Sequence, residues 1–565
     1  MKSPKLVPSV LITVFASLAL LAQACGGGGG AAQPGEPDAG QDAGSDAPTP
    51  GASFQLALSA DRLPVLTGSS ASIEVTVTRL AGFDGAVTLA PAGLPAQATA
   101  TFVPETLAAG ETKATLTVTA PTGTPHSLPT AVTIRGTAGD KQVTKSLTVT
   151  ITGAPGTVDT SFGGGAGKLV LPAGVSDDYA YAIALQPDGK IVIAGRAAEN
   201  RTDFALMRLD RDGTLDATFG TGGKVLTDFA GSDIANAVAV QPDGKIVAAG
   251  TTMASSGQDF ALARYNSDGA LDTTFGTGGK VTTSFGTDAD TAYAILLQAD
   301  GKIVVGGDSS QGTSGTGVDF ALARYNTDGS LDAGFGTGGK VTTALAQFSG
   351  RDSIYALTLQ TVGGEARIVA AGGEGDFSVA RYLPNGTLDV TFGATGTGKV
   401  TALMGSSIGA ARAVRVTADD KIVLAGHVSH DFALVRLDAG GRVDGGFGST
   451  ATPGKVITAV TTTWDEAQGL AIDGDGKIVV AGWAFEVGSS NGNFAVVRYL
   501  GDGQLDTTFG GTGIVITPVA EGTRADQGAA LLLQTDDRIP AVRVLVAGQA
   551  NGGSNSDFAI TRYWR

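Results

Sequence analysis

Residues 279–336 read GKVTTSFGTDADTAYAILLQADGKIVVGGDSSQGTSGTGVDFALARYNTDGSLDAGFG. Four short apolar runs stand out: Gly279–Thr283, Ala292–Gln298, Lys302–Gly306 and Asp319–Tyr325. Each is bounded by Gly, Asp, Asn or Ser, and none carries a helical period, so the stretch predicts four strands. Asp300-Gly301 lies between two of the runs, where a tight hairpin needs the positive φ that Gly tolerates. The second and third runs are apolar on both faces, as expected of strands packed between neighbouring sheets.

The same pattern recurs on both sides. Leu-Asp-x-x-Phe-Gly occurs seven times, twice with Val for Leu, with its Phe at Phe162, Phe219, Phe275, Phe335, Phe392, Phe447 and Phe509. Asp-Phe followed by Arg also occurs seven times, once with Asn for Asp. Its arginines are Arg208, Arg264, Arg324, Arg381, Arg436, Arg498 and Arg562. The third signature is the hairpin, as in Leu185-Gln186-Pro187-Asp188-Gly189-Lys190-Ile191-Val192. Four antiparallel strands per repeat predict a propeller blade, and seven copies predict seven blades over residues 155–565. Phe260 and Phe275 are expected to wedge between blades, and Ala261 and Ala263 to let sheets approach closely. A group present in every blade is expected to be structural, so the repeated arginines should satisfy carboxylates or carbonyls between blades.

These linked signatures resemble the delta-sixty β-propeller repeat family of bacterial envelope proteins. The resemblance implies a repeat architecture and no activity. Two hairpins depart from it: Val362-Gly363-Gly364-Glu365-Ala366-Arg367, and Asp536 to Arg543. The last repeat lacks the Leu-Asp-x-x-Phe-Gly that follows every other fourth strand, and a spare copy at Val158–Gly163 precedes the first. A closed ring, in which the spare fills that gap, is the expectation. An open array would leave a terminal edge bare.

Outward from the repeats, residues 51–153 alternate apolar and polar side chains, as at Ile73, Val75 and Val77 or Leu147, Val149 and Ile151. The pattern predicts about seven half-wet strands, the size of an immunoglobulin-like sandwich. Gly82-Phe83-Asp84-Gly85 and Phe102-Val103-Pro104 resemble bacterial surface modules of that kind, which often act as spacers. Residues 26–50 hold almost nothing but Gly, Ala, Pro, Asp and Gln, so a disordered tether is expected. Residues 1–25 have Lys2 and Lys5 before an apolar run and end in Ala22-Gln23-Ala24-Cys25, which resembles a bacterial lipobox. The resemblance implies cleavage before Cys25, lipidation of its sulfur, and an address at the outer membrane or cell surface. Cys25 is the single Cys, so no intrachain disulfide can form.

The formal charge is −16, which disfavours nucleic acid as a partner. Expected partners are the membrane through the anchor, and an envelope protein or polysaccharide. No phosphate loop or paired-Cys metal pattern is present, so no catalytic residue, metal or cofactor is assigned. His126, His427 and His430 read as exposed loop histidines. Asp210-Arg211-Asp212-Gly213 and Asp473-Gly474-Asp475-Gly476 read as turns, with a weak calcium site the remaining alternative. Trp464 and Trp483 belong to one repeat only and form the candidate ligand patch. The loops Asp308–Gly317 and Phe485–Gly492 are where specificity would lie. A non-catalytic binding or scaffold protein is expected, with a polysaccharide lyase or hydrolase at the channel mouth as the alternative.

Overall fold

The computed structural model describes residues 54–565 except 81, 199–200, 255–256, 287, 311–316, 346–350, 402, 406–407, 486–490, 521–524, 537–538 and 552. The export segment, Cys25 and the tether lie outside the described residues, as do most of the two loops expected to carry specificity. Strands dominate, and among the described residues the one helical element is a short 3₁₀ turn at Gly163–Gly165. Among the described residues no helix is long and apolar enough to cross a membrane.

The first part of the chain folds into two sheets over one core. One sheet runs Phe54–Leu58, Ser69–Arg79, Lys113–Ala120, Thr99–Val103. The other runs Arg62–Leu66, Lys141–Thr152, Thr130–Ala138, Val87–Ala92, Thr106–Leu107. The alternating residues Val75, Val77, Leu116 and Val118 from one face meet Leu63, Val132, Ile134 and Val149 from the other. Arg62–Leu66 escapes a pattern reading because Pro64 interrupts it. Pro is tolerated there because the strand is an edge, paired on one side only, in parallel with Lys141–Thr152.

The rest forms seven four-stranded antiparallel sheets. Their innermost strands are Tyr179–Leu185, Ser232–Val240, Asp290–Leu297, Ile354–Val362, Gly409–Val416, Asp465–Ile472 and Gln527–Asp536. The grouping of strands corrects the one expected from the sequence. Lys280–Thr283 pairs with Gly257–Tyr265 of the preceding repeat and does not join the strands that follow it. The cause is the Leu-Asp-x-x-Phe-Gly loop. Asp272 N–H donates to the Arg264 carbonyl and Gly279 N–H to that of Phe275, which reverses the chain onto the strand it has just left.

Seven hydrophobic clusters fill the gaps between successive sheets. Phe260, Phe275 and Leu262 of the second sheet pack with Ile303, Val305 and Ala321 of the third. Ala261 and Ala263 pack the other way, against Val192 and Leu206 of the first. Ile191, Ile193 and Ala205 of the first sheet pack with Leu545, Phe558 and Ile560 of the seventh, so the series returns to its start. The seventh sheet is completed by residues from before the first: Lys168–Leu171 pairs with Ser556–Trp564, and Val158 bridges Tyr563. Buried Tyr265 reaches back to Thr227 of the preceding sheet at 2.8 Å, and Tyr325 to Thr283 at 2.9 Å.

His126 ties the two parts together. Its Nδ1 accepts from the Trp564 indole N–H at 2.9 Å and from the Thr160 N–H at 3.1 Å.

Candidate functional site

The three repeated signatures converge on one cluster in every sheet. In the first, Asp216 Oδ2 accepts from Arg208 Nε and Lys190 Nζ, both at 2.7 Å, and Oδ1 accepts from the Thr218 hydroxyl at 2.6 Å. The Arg208 guanidinium lies 4.5 Å from the centre of the Phe219 ring and donates to the Ser267 carbonyl at the end of the next sheet. Thus Arg supplies a carboxylate partner within its sheet and a carbonyl partner across the gap, as its repetition predicts. Burial works against the charge on Asp216, but the hydrogen bonds from Lys190 and Thr218 outweigh it and hold the carboxyl well below its usual range.

The cluster survives each departure from the repeat. Asp272 has Lys245 at 2.9 Å and Arg264 at 2.7 Å; Asp506 has Lys477 at 2.7 Å and Arg498 at 2.8 Å. Where the fourth hairpin changes, Arg367 stands in for the lysine, 3.6 Å from Asp389. In the seventh sheet Arg543 and Arg562 both reach Asp159 at 2.9 Å, and Arg562 covers Phe162 at 4.6 Å. Each of these carboxylates is saturated by cations and local donors. The clusters can lock sheets together, and they leave no open valence for a substrate.

The residues that vary lie along the axis. Every innermost strand carries a β-bulge, and the bulged residues are Tyr181, Asn236, Tyr293, Tyr355, Arg412, Gln468 and Ala529. All seven line one central cavity of about 400 Å³. An extra residue re-aims its side chain, which here is turned toward the axis. A glycine on the second strand makes room for each bulge. A Cβ on Gly307 would stand 1.8 Å from the Thr291 carbonyl oxygen, and one on Gly250 1.9 Å from that of Ile234. Neighbouring ring members touch: Tyr293 and Tyr355 are 5.1 Å apart, and Arg412 lies 4.0 Å from the Tyr355 ring centre. Burial raises the Tyr181 hydroxyl and pushes that of Tyr293 up to about 12. The sequence reading missed this ring because the bulged residue differs from copy to copy. The signal available was the small residue followed by Gly in the second strand, as in Ala194-Gly195 and Ala425-Gly426.

Beside the ring lies the aromatic group of the fifth and sixth sheets. Trp464 is 43% exposed, whereas Trp483 is 9% exposed and sits beneath it, 6.4 Å away and 5.1 Å from Phe485. Of the two candidate tryptophans, Trp464 is therefore the one that presents a surface. Its Nε1 donates to Glu466 Oε1 at 3.0 Å, and Glu466 Oε2 accepts from Gln468 of the ring at 3.0 Å. His430 stacks 4.0 Å from Trp464 and has φ of +76°, following Ser429 at +50°. Two positive-φ residues in a two-residue hairpin turn are unusual without Gly. The reading of His427 as an exposed loop histidine is corrected: it is buried within the strand Ile422–Val428, which lowers its pKa.

The acidic turns have protein partners. Asp473 accepts from the Asp475 and Lys477 N–H groups at 2.9 Å and from Arg565 at 2.7 Å; Asp212 accepts from Thr214. Asp203, Asp228 and Asp233 bring carboxylate oxygens within 4.8 Å of one another.

Residues 186–219, 241–275, 298–335, 361–392, 417–447 and 474–509 match the family model described as domain of unknown function (DUF5122) β-propeller. Each segment runs from the hairpin to the Phe, so it holds one whole cluster of a hairpin cation, Arg, Asp and Phe, the cation being Lys in five and Arg367 in the fourth. The seventh cluster is not contiguous, since its Asp and Phe are Asp159 and Phe162, and it gives no match. No curated protein matches. Solved structures similar to the chain include domains 4 and 5 of the S-layer protein SbsC, at 22% identity with TM-score 0.14, covering 17% of this chain and 50% of that one. Domains 4–9 of SbsC are 12% identical with TM-score 0.14, covering 90% and 82%. An Escherichia coli α2-macroglobulin is 10% identical with TM-score 0.15, covering 91% and 42%. The chain spans half the length of the first of these, and such low TM-scores carry no argument. The repeat matches and the all-β architecture make this a β-propeller repeat protein.

Proposed function

We propose that this β-propeller repeat protein is a non-catalytic binding or scaffold module of the bacterial outer membrane or cell surface, held by a lipid on Cys25. In this reading its seven sheets are the blades of one propeller, preceded by an immunoglobulin-like spacer and a tether at 26–50. The observation that carries the reading is the division of labour in the repeats. The repeated Asp and Arg of the Leu-Asp-x-x-Phe-Gly and Asp-Phe signatures are consumed in saturated locks, so function falls to the residues that do not repeat. Trp464, exposed and fixed by Glu466, is the contact offered to an envelope protein or a polysaccharide. Capture of envelope proteins and glycans by the full chain tests this: Trp464→Ala should abolish capture, and unchanged capture would reject the patch. Palmitate incorporation into wild type and not into Cys25→Ala tests the anchor.

A second reading, cleavage of a polysaccharide at the channel mouth, draws on His427, His430 and Glu466 standing near one another. It requires release of reducing or unsaturated ends that Glu466→Gln abolishes.

A further inference from the structure

The fifth innermost strand differs from the other six in turning two guanidiniums into the channel wall, Arg412 at the bulge and Arg415 three residues on. The positions equivalent to Arg415 hold Ala184, Ala239, Leu296, Thr358, Ala471 and Leu532. The arginine is thus not something the ring needs. At about 3.3 Å per residue the backbone positions of Arg412 and Arg415 stand roughly 10 Å apart along the strand.

Neither guanidinium has a carboxylate partner among the described residues. Arg412 lies over Tyr355, and its Nε is buried with no hydrogen-bond acceptor. Arg415 donates to the carbonyl of its own neighbour Val414 at 2.8 Å. It keeps contact with water, yet the surrounding protein lowers its pKa, and burial is the one cause. This contrasts with the repeat arginines, each of which has its aspartate. Arg412 is half-buried and Arg415 exposed, so both guanidiniums are available at the channel wall of a protein of formal charge −16. A guanidinium presents a planar fork that matches the oxygens of carboxylate, sulfate or phosphate. The Tyr181 hydroxyl and the Asn236 and Gln468 amides on the same ring add neutral polar groups, and Asn236 already donates to the Ala292 carbonyl at 2.8 Å.

From this geometry we infer that the central channel is an oxyanion site, with Arg412 as the principal contact and Arg415 as a second, more exposed cation further along the wall. It goes beyond the surface reading above and does not involve Trp464. The ligand is a small molecule, or the end of a chain, that carries a carboxylate, sulfate or phosphate into the channel.

Calorimetry and thermal melts of the full chain with inorganic phosphate, sulfate, galacturonate and neutral galactose test it. At least one oxyanion should bind and raise Tm, galactose should not, and Arg412→Gln should weaken binding tenfold or more. The arm that binds distinguishes a carboxylate from a phosphate or sulfate source. Trp464→Ala should leave the affinity unchanged, so loss of the surface reading and loss of this one are separable. Should Arg412→Gln fail to fold, iodide soaked into wild-type crystals gives an independent readout by anomalous scattering. Iodide at the Arg412 guanidinium supports the site. No oxyanion binding, equal binding of galactose, affinity indifferent to Arg412→Gln, or no iodide at the guanidinium would overturn it.

Discussion

The carboxylate of Asp159 meets the guanidinium of Arg562 at 2.9 Å, across 403 residues of chain. Arg543 reaches the same oxygen at 2.9 Å. Asp159 is fully buried and pairs with both arginines. Asp159→Asn would leave the buried guanidinium of Arg562 facing a neutral amide. The expected loss is about 3–5 kcal/mol, the range for breaking a buried pair. Urea unfolding measures it, and a loss below about 1 kcal/mol would contradict the role given to this contact. Limited proteolysis should cut near Lys168–Leu171 earlier in this variant than in Asp272→Asn, where the lock lies far from the closure.

A methyl group at Gly307 has no room. Its carbon would fall 1.8 Å from the Thr291 carbonyl oxygen, which is backbone and cannot swing aside. Gly307→Ala is therefore expected to cost at least ~2 kcal/mol, in the upper part of the range for overpacking or beyond it. The control is Gly334→Ala, whose added carbon would meet nothing nearer than Asp332 Oδ1 at 3.3 Å. Equal Tm values for the two variants would refute the bulge argument.

Stability should respond to pH in two directions. Burial, with the nearby Asp319 charge, raises Asp352 to about 6. Between about pH 4 and 6 the folded protein keeps a proton there that the unfolded chain releases, so this contribution falls as pH rises through that window. Asp352→Asn should flatten the slope over that range. Asp216, Asp272 and Asp506 are depressed, and their contribution is present above about pH 4 and lost as pH falls further. Denaturant titrations at pH 3, 5 and 7 check both signs.

The two tryptophans should separate cleanly. Trp483→Ala removes a buried side chain packed on Phe485 and is expected to cost about 3–5 kcal/mol. Trp464→Ala removes a half-exposed one and should cost less than about 1.5 kcal/mol. Comparable losses would mean that Trp464 serves the core.

Repetition explains what could be read from the chain. Phe275 and Arg264 recur with their partners, so their structural role was visible before any contact was known. The pairing of Lys280–Thr283 was not, because it depends on which way a loop turns. Nor was the link from Lys190 to Asp216, 26 residues apart, since spacing alone does not show that two signatures meet. The channel ring was hidden for the opposite reason: Tyr181, Asn236 and Arg412 occupy equivalent places and share no chemistry. His427 was misplaced because a polar residue near a turn looks like loop, although the strand runs through it.

The bulges carry an evolutionary consequence. Backbone pairing and a glycine on the adjoining strand hold each one, so the protruding side chain is free to mutate without disturbing the wall. Seven such positions around one lumen amount to seven settings, coupled where ring members touch, as at Tyr293, Tyr355 and Arg412. A lineage could retune what the lumen accepts by single substitutions, leaving foldability untouched. Sister proteins with the same locks and differently furnished lumens are what such an architecture would generate.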